Sequence, residues 1–176
     1  MLIYDMTLMK RELYWEYGDI VDTGQLSNNN YWNLRPLLRQ DGFCLEICGN
    51  GELDSYSSLN DYYKADYINS PVLSSYLLDI PFIKINRGIT SIGDYNFNSI
   101  KASRIDIPDT VTTIGNYSFM YSQPYYIILP DSVTTVGIWA FCNNDNATNI
   151  ILSNNLKSLN YFSFAGLHVA KRLYTF

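Results

Sequence analysis

Ile105-Asp-Ile-Pro-Asp-Thr-Val-Thr-Thr-Ile-Gly-Asn-Tyr-Ser-Phe119 is rewritten one step later as Ile127-Ile-Leu-Pro-Asp-Ser-Val-Thr-Thr-Val-Gly-Ile-Trp-Ala-Phe141. A looser version precedes the pair, Ile83 to Phe97, and another follows it, Ile150 to Phe164. The closing phenylalanines 97, 119, 141 and 164 are therefore 22, 22 and 23 residues apart. Self-similarity at such a period marks a stack of coils in which each unit buries its apolar face only against its neighbours. Function in such a chain is expected on an extended surface, because every layer supplies the same residues.

Each phrase has a physical reading. Ile83 and Ile85, Ile105 and Ile107, Ile127 and Leu129, and Ile150 and Leu152 alternate with other residues, which points them inward from a short strand. Pro108-Asp109-Thr110 and Pro130-Asp131-Ser132 then form a turn, as do Asn86-Arg87-Gly88 and Ser153-Asn154-Asn155. The chain re-enters the core and reaches Gly93, Gly115, Gly137 and Asn160. Glycine and asparagine are the residues that most readily turn left-handed, so this column is expected at positive φ. The Phe column and the aromatics two residues before it (Tyr95, Tyr117, Trp139, Phe162) are both expected to stack in the core.

The pattern I-x-I-P-x-x-V-T-x-I-G-x-x-A/S-F, seen in residues 105–119 and 127–141, resembles the BspA-type (Treponema-type) leucine-rich repeat. Trp32-Asn-Leu34 with Asp41 to Asp54 is similar to the module that often leads into such repeats. The resemblance implies a β-rich solenoid, a right-handed leucine-rich-repeat stack of about four to five coils with an N-terminal β-hairpin cap. It also implies a non-enzymatic, adhesin-like module that recognises protein or glycan at a cell surface or after secretion. The sequence departs from the pattern at Ser153, at Asn160 and in the 23-residue step, as repeats near the end of a stack do.

Along the chain, residues 1–24 match neither repeat nor leading module and form an extension that could dock to a neighbour. Residues 25–80 contain a β-hairpin turning at Asp41-Gly42, followed by a Tyr-, Ser- and Asp-rich connection interrupted by Pro71. Residues 81–176 are the repeats, and Lys171 to Phe176 begin another strand. The hairpin is expected to pack on the first repeat, and no corresponding element is visible at the other end.

Composition agrees with one β-rich unit: 176 residues, 47% apolar, with 16 Tyr and 8 Phe. A net charge of −5 without a basic stripe disfavours nucleic-acid partners. Residues 1–7 do not read as a secretory signal, and no run approaches the roughly 20 apolar residues that span a bilayer. A structural subunit of a larger assembly, such as a phage virion or appendage protein, is therefore the alternative to the adhesin-like reading.

Three cysteines argue against a disulfide framework, and Cys44 and Cys48 on one extended strand sit about 13 Å apart, too far to bridge. With His168 as the one histidine and no C-x-x-C pair, neither metal nor cofactor is expected, and no triad can be assembled. Gly49-Asn50-Gly51 lacks the helix start of a phosphate cradle. Glu46, Glu52, Asp54, Asp61 and Asp66 read as solvated surface rather than as an acid–base pair.

If the strand isoleucines point inward, their neighbours point outward. That parity assigns an exposed ladder of Phe82, Lys84, Arg104, Asp106, Tyr126, Ile128, Asn149, Ile151, Arg172 and Tyr174, at the roughly 4.8 Å spacing of adjacent strands. A stripe with this apolar content is either the contact for another protein chain, a host surface protein or an assembly neighbour, or the face over which residues 1–24 or 57–80 of this chain fold.

Overall fold

The computed structural model describes residues 16–27, 29–56, 80–167 and 172–174. Residues 1–15, His168, Lys171 and the connection 57–79 with Asp61, Asp66 and Pro71 lie outside the described residues. Among the described residues there are thirteen strands and no helix.

The alternating isoleucines form the long strand of each repeat: β5 (Phe82–Ile85), β7 (Arg104–Asp106), β9 (Tyr126–Ile128) and β11 (Asn149–Ile151), continued by β13 (Arg172–Tyr174). They run parallel in the register that the 22- to 23-residue period requires, Ile83↔Ile105, Ile127↔Ile150 and Ile150↔Leu173. Between β7 and β9 the amide of Tyr125 donates to Ser103 O at 2.9 Å. The expected turns close with bonds from Val111 N to Pro108 O (3.1 Å) and Val133 N to Pro130 O (2.9 Å). After them come the short strands β6 (Ile89–Ile92), β8 (Thr113–Ile114), β10 (Thr135–Val136) and β12 (Ser158–Leu159), which with β4 (Gly51–Glu52) make a second parallel sheet. A segment of turns completes each coil.

Ahead of the repeats, β1 (Asp22–Ser27), β2 (Asn30–Pro36) and β3 (Phe43–Cys48) pair antiparallel, and β3 then pairs parallel with β5. Leu45 stands beside Ile83 and Ile47 beside Ile85, so Trp32, Leu34, Leu45 and Ile47 share one buried cluster with the repeat core. Within that cluster Phe97, Phe119 and Phe141 are fully buried and Phe164 is partly buried. Their rings stack at centroid distances of 5.2, 5.1 and 5.2 Å, with interplanar angles of 11°, 11° and 4°.

The glycine column differs from expectation. Gly93, Gly115, Gly137 and Asn160 are not among the positive-φ residues. Glycine is needed there for proximity: a Cβ on Gly115 would sit 2.5 Å from Asp94 Oδ1 and 2.7 Å from the carbonyl carbon of Gly93. On Gly137 it would sit 2.6 Å from both Asn116 N and the Gly115 carbonyl carbon, and on Gly93 it would strike Asp54 O. Successive coils thus touch backbone to backbone at this column. Left-handed backbone occurs two residues later instead, at Tyr95, Tyr117, Trp139 and Phe162, with φ of 61°, 56°, 58° and 58°.

Gly115→Ala is expected to destabilise by about 1–3 kcal/mol, because Asp94 Oδ1 can move aside but Asp94 N and the Gly93 carbonyl carbon, both at 2.7 Å, belong to the backbone and cannot rotate away. Gly115→Asn separates the two explanations: a left-handed site would tolerate asparagine, whereas a crowded one gives a loss at least as large as alanine's. Urea midpoints of the two variants provide the measurement.

Candidate functional site

Of the ladder expected to face outward from the long strands, Phe82 and Ile151 are covered. Phe82 is 3% exposed and packs with Leu37, Cys44 and Tyr17, and the Arg104 guanidinium lies 5.2 Å from its ring centroid. Ile151 is 7% exposed. Arg104 and Asp106 neutralise each other through bonds of 2.7 and 2.8 Å. Tyr126 and Ile128 are half-buried, and Asn149 donates to Thr148 Oγ1 at 3.2 Å. Tyr174 and Arg172 lie in β13, in register with Ile151 and Asn149. Exposure fails at Phe82 because Tyr17 and Leu37, distant in sequence, close over the same face.

Lys84 belongs to a polar network centred on Glu46. The Glu46 carboxylate accepts from Arg35 Nε, Lys84 Nζ and Asn86 Nδ2, each at 3.1 Å, and from Asn33 Nδ2 at 3.4 Å. Lys84 also donates to Tyr17 OH at 2.5 Å, and the Tyr17 ring lies within 5.0 Å of the lysine ammonium and 5.5 Å of the Arg35 guanidinium. Burial alone would raise the Glu46 pKa, but the bonds from Asn86, Lys84 and Arg35 outweigh it and hold the carboxyl down at about 2. This corrects the reading of Glu46 as solvated surface: it is 6% exposed on β3, facing the side of the sheet that the ladder occupies.

That environment suits structure better than catalysis. A carboxylate held by two cations and two amides is a poor proton acceptor near neutral pH. The three thiols are free, and burial pushes Cys44 up to about 12 and raises Cys48 and Cys142, which leaves them as thiols instead of nucleophilic thiolates. Among the described residues no group of His, Cys, Asp and Glu side chains is placed to hold a metal ion, and no helix is long and apolar enough to cross a membrane.

The second aromatic column is not buried as expected, although Tyr95 packs against the core. Tyr95, Tyr117 and Trp139 are half-buried and Phe162 is 60% exposed. Tyr95 and Tyr117 stack at 4.8 Å and 8°, Trp139 and Phe162 at 5.2 Å and 40°. The left-handed turn at each of these residues sends its ring outward at the corner while the following Phe goes inward. Beside them Asp94 Oδ1 accepts from Asn116 N at 2.6 Å, and Asn116 Oδ1 accepts from Ile138 N at 2.8 Å, tying one coil to the next. Tyr121, Tyr125, Ile138 and Tyr161 on the turn segments and Leu159 on β12 add exposed apolar surface, Tyr161 reaching 81%. The ladder proposed from sequence misses these residues. Their signal lies in the neighbouring column Ser99, Tyr121, Asn143 and Gly166, also left-handed, which ends in the two residue types suited to that conformation.

A family model described as the BspA-type leucine-rich repeat region matches residues 68–174 in six copies. Among solved structures, the chain is similar to a leucine-rich repeat protein from Eubacterium ventriosum, with 23% identity and a TM-score of 0.56. The similarity covers 79% of this chain and 40% of that one, so the chain spans less than half the length of that relative. No curated protein matches the chain.

The Glu46 network makes stability depend on pH. A carboxyl whose pKa is lowered on folding stabilises fully above its ordinary value of 4.5 and loses that contribution as the pH falls through about 2. Lys84, raised by its bonds to Tyr17 and Glu46 against the opposing effect of burial, contributes fully below the ordinary lysine value of 10.5 and loses this as the pH rises beyond it. Between pH 6 and pH 2 the unfolding free energy of the wild type should fall by about 2–3 kcal/mol more than that of Glu46→Gln. A difference between the two that does not change with pH would remove the carboxylate's charge from this account.

Proposed function

The chain belongs to the BspA-type leucine-rich repeat family, and we propose that it is a non-enzymatic binding module that recognises another protein through its aromatic corner. The observation that carries this reading is the placement of Tyr95, Tyr117, Trp139 and Phe162 at φ between 56° and 61° while leaving their rings part exposed. A side chain with a Cβ costs roughly 1 kcal/mol or more there, and glycine would avoid that cost. The inward Phe column already supplies the core, so a second, strained aromatic column suits contact better than folding. Tyrosine and tryptophan are also the residues that most often dominate protein interfaces.

Ring orientation favours a protein partner over a glycan. Tyr95 and Tyr117, stacked at 4.8 Å, hide the facing sides of their rings and present edges and hydroxyls, whereas a sugar ring stacks on an open aromatic face. Of the outward ladder, Lys84, Arg104, Asp106, Tyr126, Ile128 and Asn149 form a flanking surface for the same kind of partner. An adhesin-like role at a cell surface is the setting in which such a module would act.

Photo-crosslinking in the native setting tests the reading, with benzoylphenylalanine placed at Tyr117 or Trp139 and, as a control, at Thr112 on the short-strand face. Protein adducts should form from the corner positions well above the control. Tyr117→Asn should abolish them at position 139 while changing stability by about 1 kcal/mol or less, since the lost stacking is offset by relief at positive φ. Equal adducts at Thr112, or a loss of stability for Tyr117→Asn as large as the 3–5 kcal/mol typical of burying no ring at a core phenylalanine, would return the column to a purely structural role.

A further inference from the structure

The chain contains one Asn-Gly pair, Asn50-Gly51, and the fold sets it at the joint between the leading hairpin and the first repeat. Asparagine followed by glycine is prone to react with its own backbone, because no side chain on the glycine hinders the attacking nitrogen. β3 ends at Cys48 and β4 begins at Gly51, so Asn50 lies in the turn that carries the chain from the long-strand sheet to the short-strand sheet. Asn50 is exposed. Two features of the joint bear on its reactivity. The nitrogen that would attack, Gly51 N, donates to Gly88 O at 2.8 Å. The turn of the first repeat also closes against the pair: a Cβ on Gly88 would strike Gly49 O and sit 2.8 Å from Asn50 Oδ1.

We propose that Asn50 is a deamidation site restrained by the first repeat, one that reacts only when β4 and the Gly88 turn part. In that step Gly51 N bonds to Asn50 Cγ, the Cγ–Nδ2 bond breaks, and ammonia leaves with the proton that the amide carried. Water then opens the resulting succinimide at either of its carbonyls, which leaves aspartate or isoaspartate at position 50. With its hydrogen held by Gly88 O, the Gly51 nitrogen can neither turn toward Cγ nor give up that proton. The closed joint therefore protects the asparagine, and a local opening exposes it. Isoaspartate routes the main chain through the side chain and lengthens it by one carbon between β3 and β4. The pairing of Gly51 with Ile89 and of Glu52 with Ser91 depends on that length, as does the 2.8 Å bond from Asn30 Nδ2 to Glu52 O. Because the ammonia is lost, each opening that leads to reaction is recorded as a lasting mismatch between the hairpin and the first repeat.

The test incubates the full chain at neutral pH beside a synthetic peptide of residues 46–54 carrying Cys48→Ser, which has no first repeat to restrain it. Conversion at position 50 is followed by mass spectrometry after digestion, with Asn50→Gln as the variant that should lose the signal. Hydrogen exchange at the Gly51 amide, measured by NMR in chain and peptide, reports how often the joint opens. Conversion should be slower in the chain than in the peptide by the same factor as exchange is, to within about threefold, because one opening permits both. Low urea acting on the unaltered chain, and Gly88→Ala, which would press on Gly49 O, should each speed conversion and exchange in parallel. A chain that converts as fast as the peptide, or faster than its measured opening allows, reacts with the joint closed and overturns the proposal. Exchange that urea accelerates without accelerating conversion overturns it as well.

Discussion

The distance between one coil and the next governs this structure. Parallel pairing of both the long and the short strands holds successive layers at the roughly 4.8 Å of a hydrogen-bonded sheet. The backbone of the corner can follow only if nothing intervenes where the layers touch, and Gly93, Gly115 and Gly137 leave that space empty. Everything stacked above those positions inherits the spacing. The Phe rings, at 5.1–5.2 Å between centroids, fit it with little tilt.

A fixed spacing also restricts charge, because a residue type repeated in a column meets itself in every layer. The turn column Arg87, Asp109, Asp131 and Asn154 keeps two aspartates in successive coils and changes identity on either side of them, which gives each a partner. Arg87 faces Asp109 at 2.7 Å, and Asp131 Oδ1 accepts from Asn154 N at 2.9 Å. Glu46 and Lys84 meet across β3 and β5, while Arg104, one layer on, is satisfied within its own strand by Asp106. Within the turn segments, where strand pairing ends, side chains take over the unpaired carbonyls: Ser122 Oγ donates to Phe97 O, Asn144 Nδ2 to Phe119 O and Phe141 O, and Ser163 Oγ to Gly137 O. These buried polar groups do in the corner what the ladder does in the sheets.

Alternation and period made the strands, their register and the inward Phe column legible from sequence, because both follow from local geometry that every layer repeats. The corner was less legible. Tyr95, Tyr117, Trp139 and Phe162 have no local preference for left-handed backbone, and the glycine or asparagine two residues earlier offers a plausible but mistaken location. What covers the face that carries Phe82 and Lys84 is a long-range matter. Tyr17 is 67 residues from Lys84 in the chain, and no pattern within either segment announces that their side chains meet.

The last described layer shows how the spacing constraint acts when a rule is broken. Asn160 brings a side chain into the glycine column, and the corner bond beside it, Trp139 N to Tyr161 O, lengthens to 3.4 Å from 3.0 and 2.9 Å at the two earlier equivalents. The ring pair at that corner tilts to 40°, compared with 8° between Tyr95 and Tyr117. One position further in, Phe141 N to Ser163 O closes again to 2.7 Å, so the displacement stays at the corner and the Phe stack is unaffected. Ile138 also ends the side-chain ladder that runs from Asp94 through Asn116, since it accepts no bond that could tie the following layer. An interior layer is held by neighbours on both sides, and its residues must satisfy two sets of contacts at one spacing. The corner beside Asn160 carries the most exposed aromatic side chains among the described residues, and the ring pair there is the one that tilts.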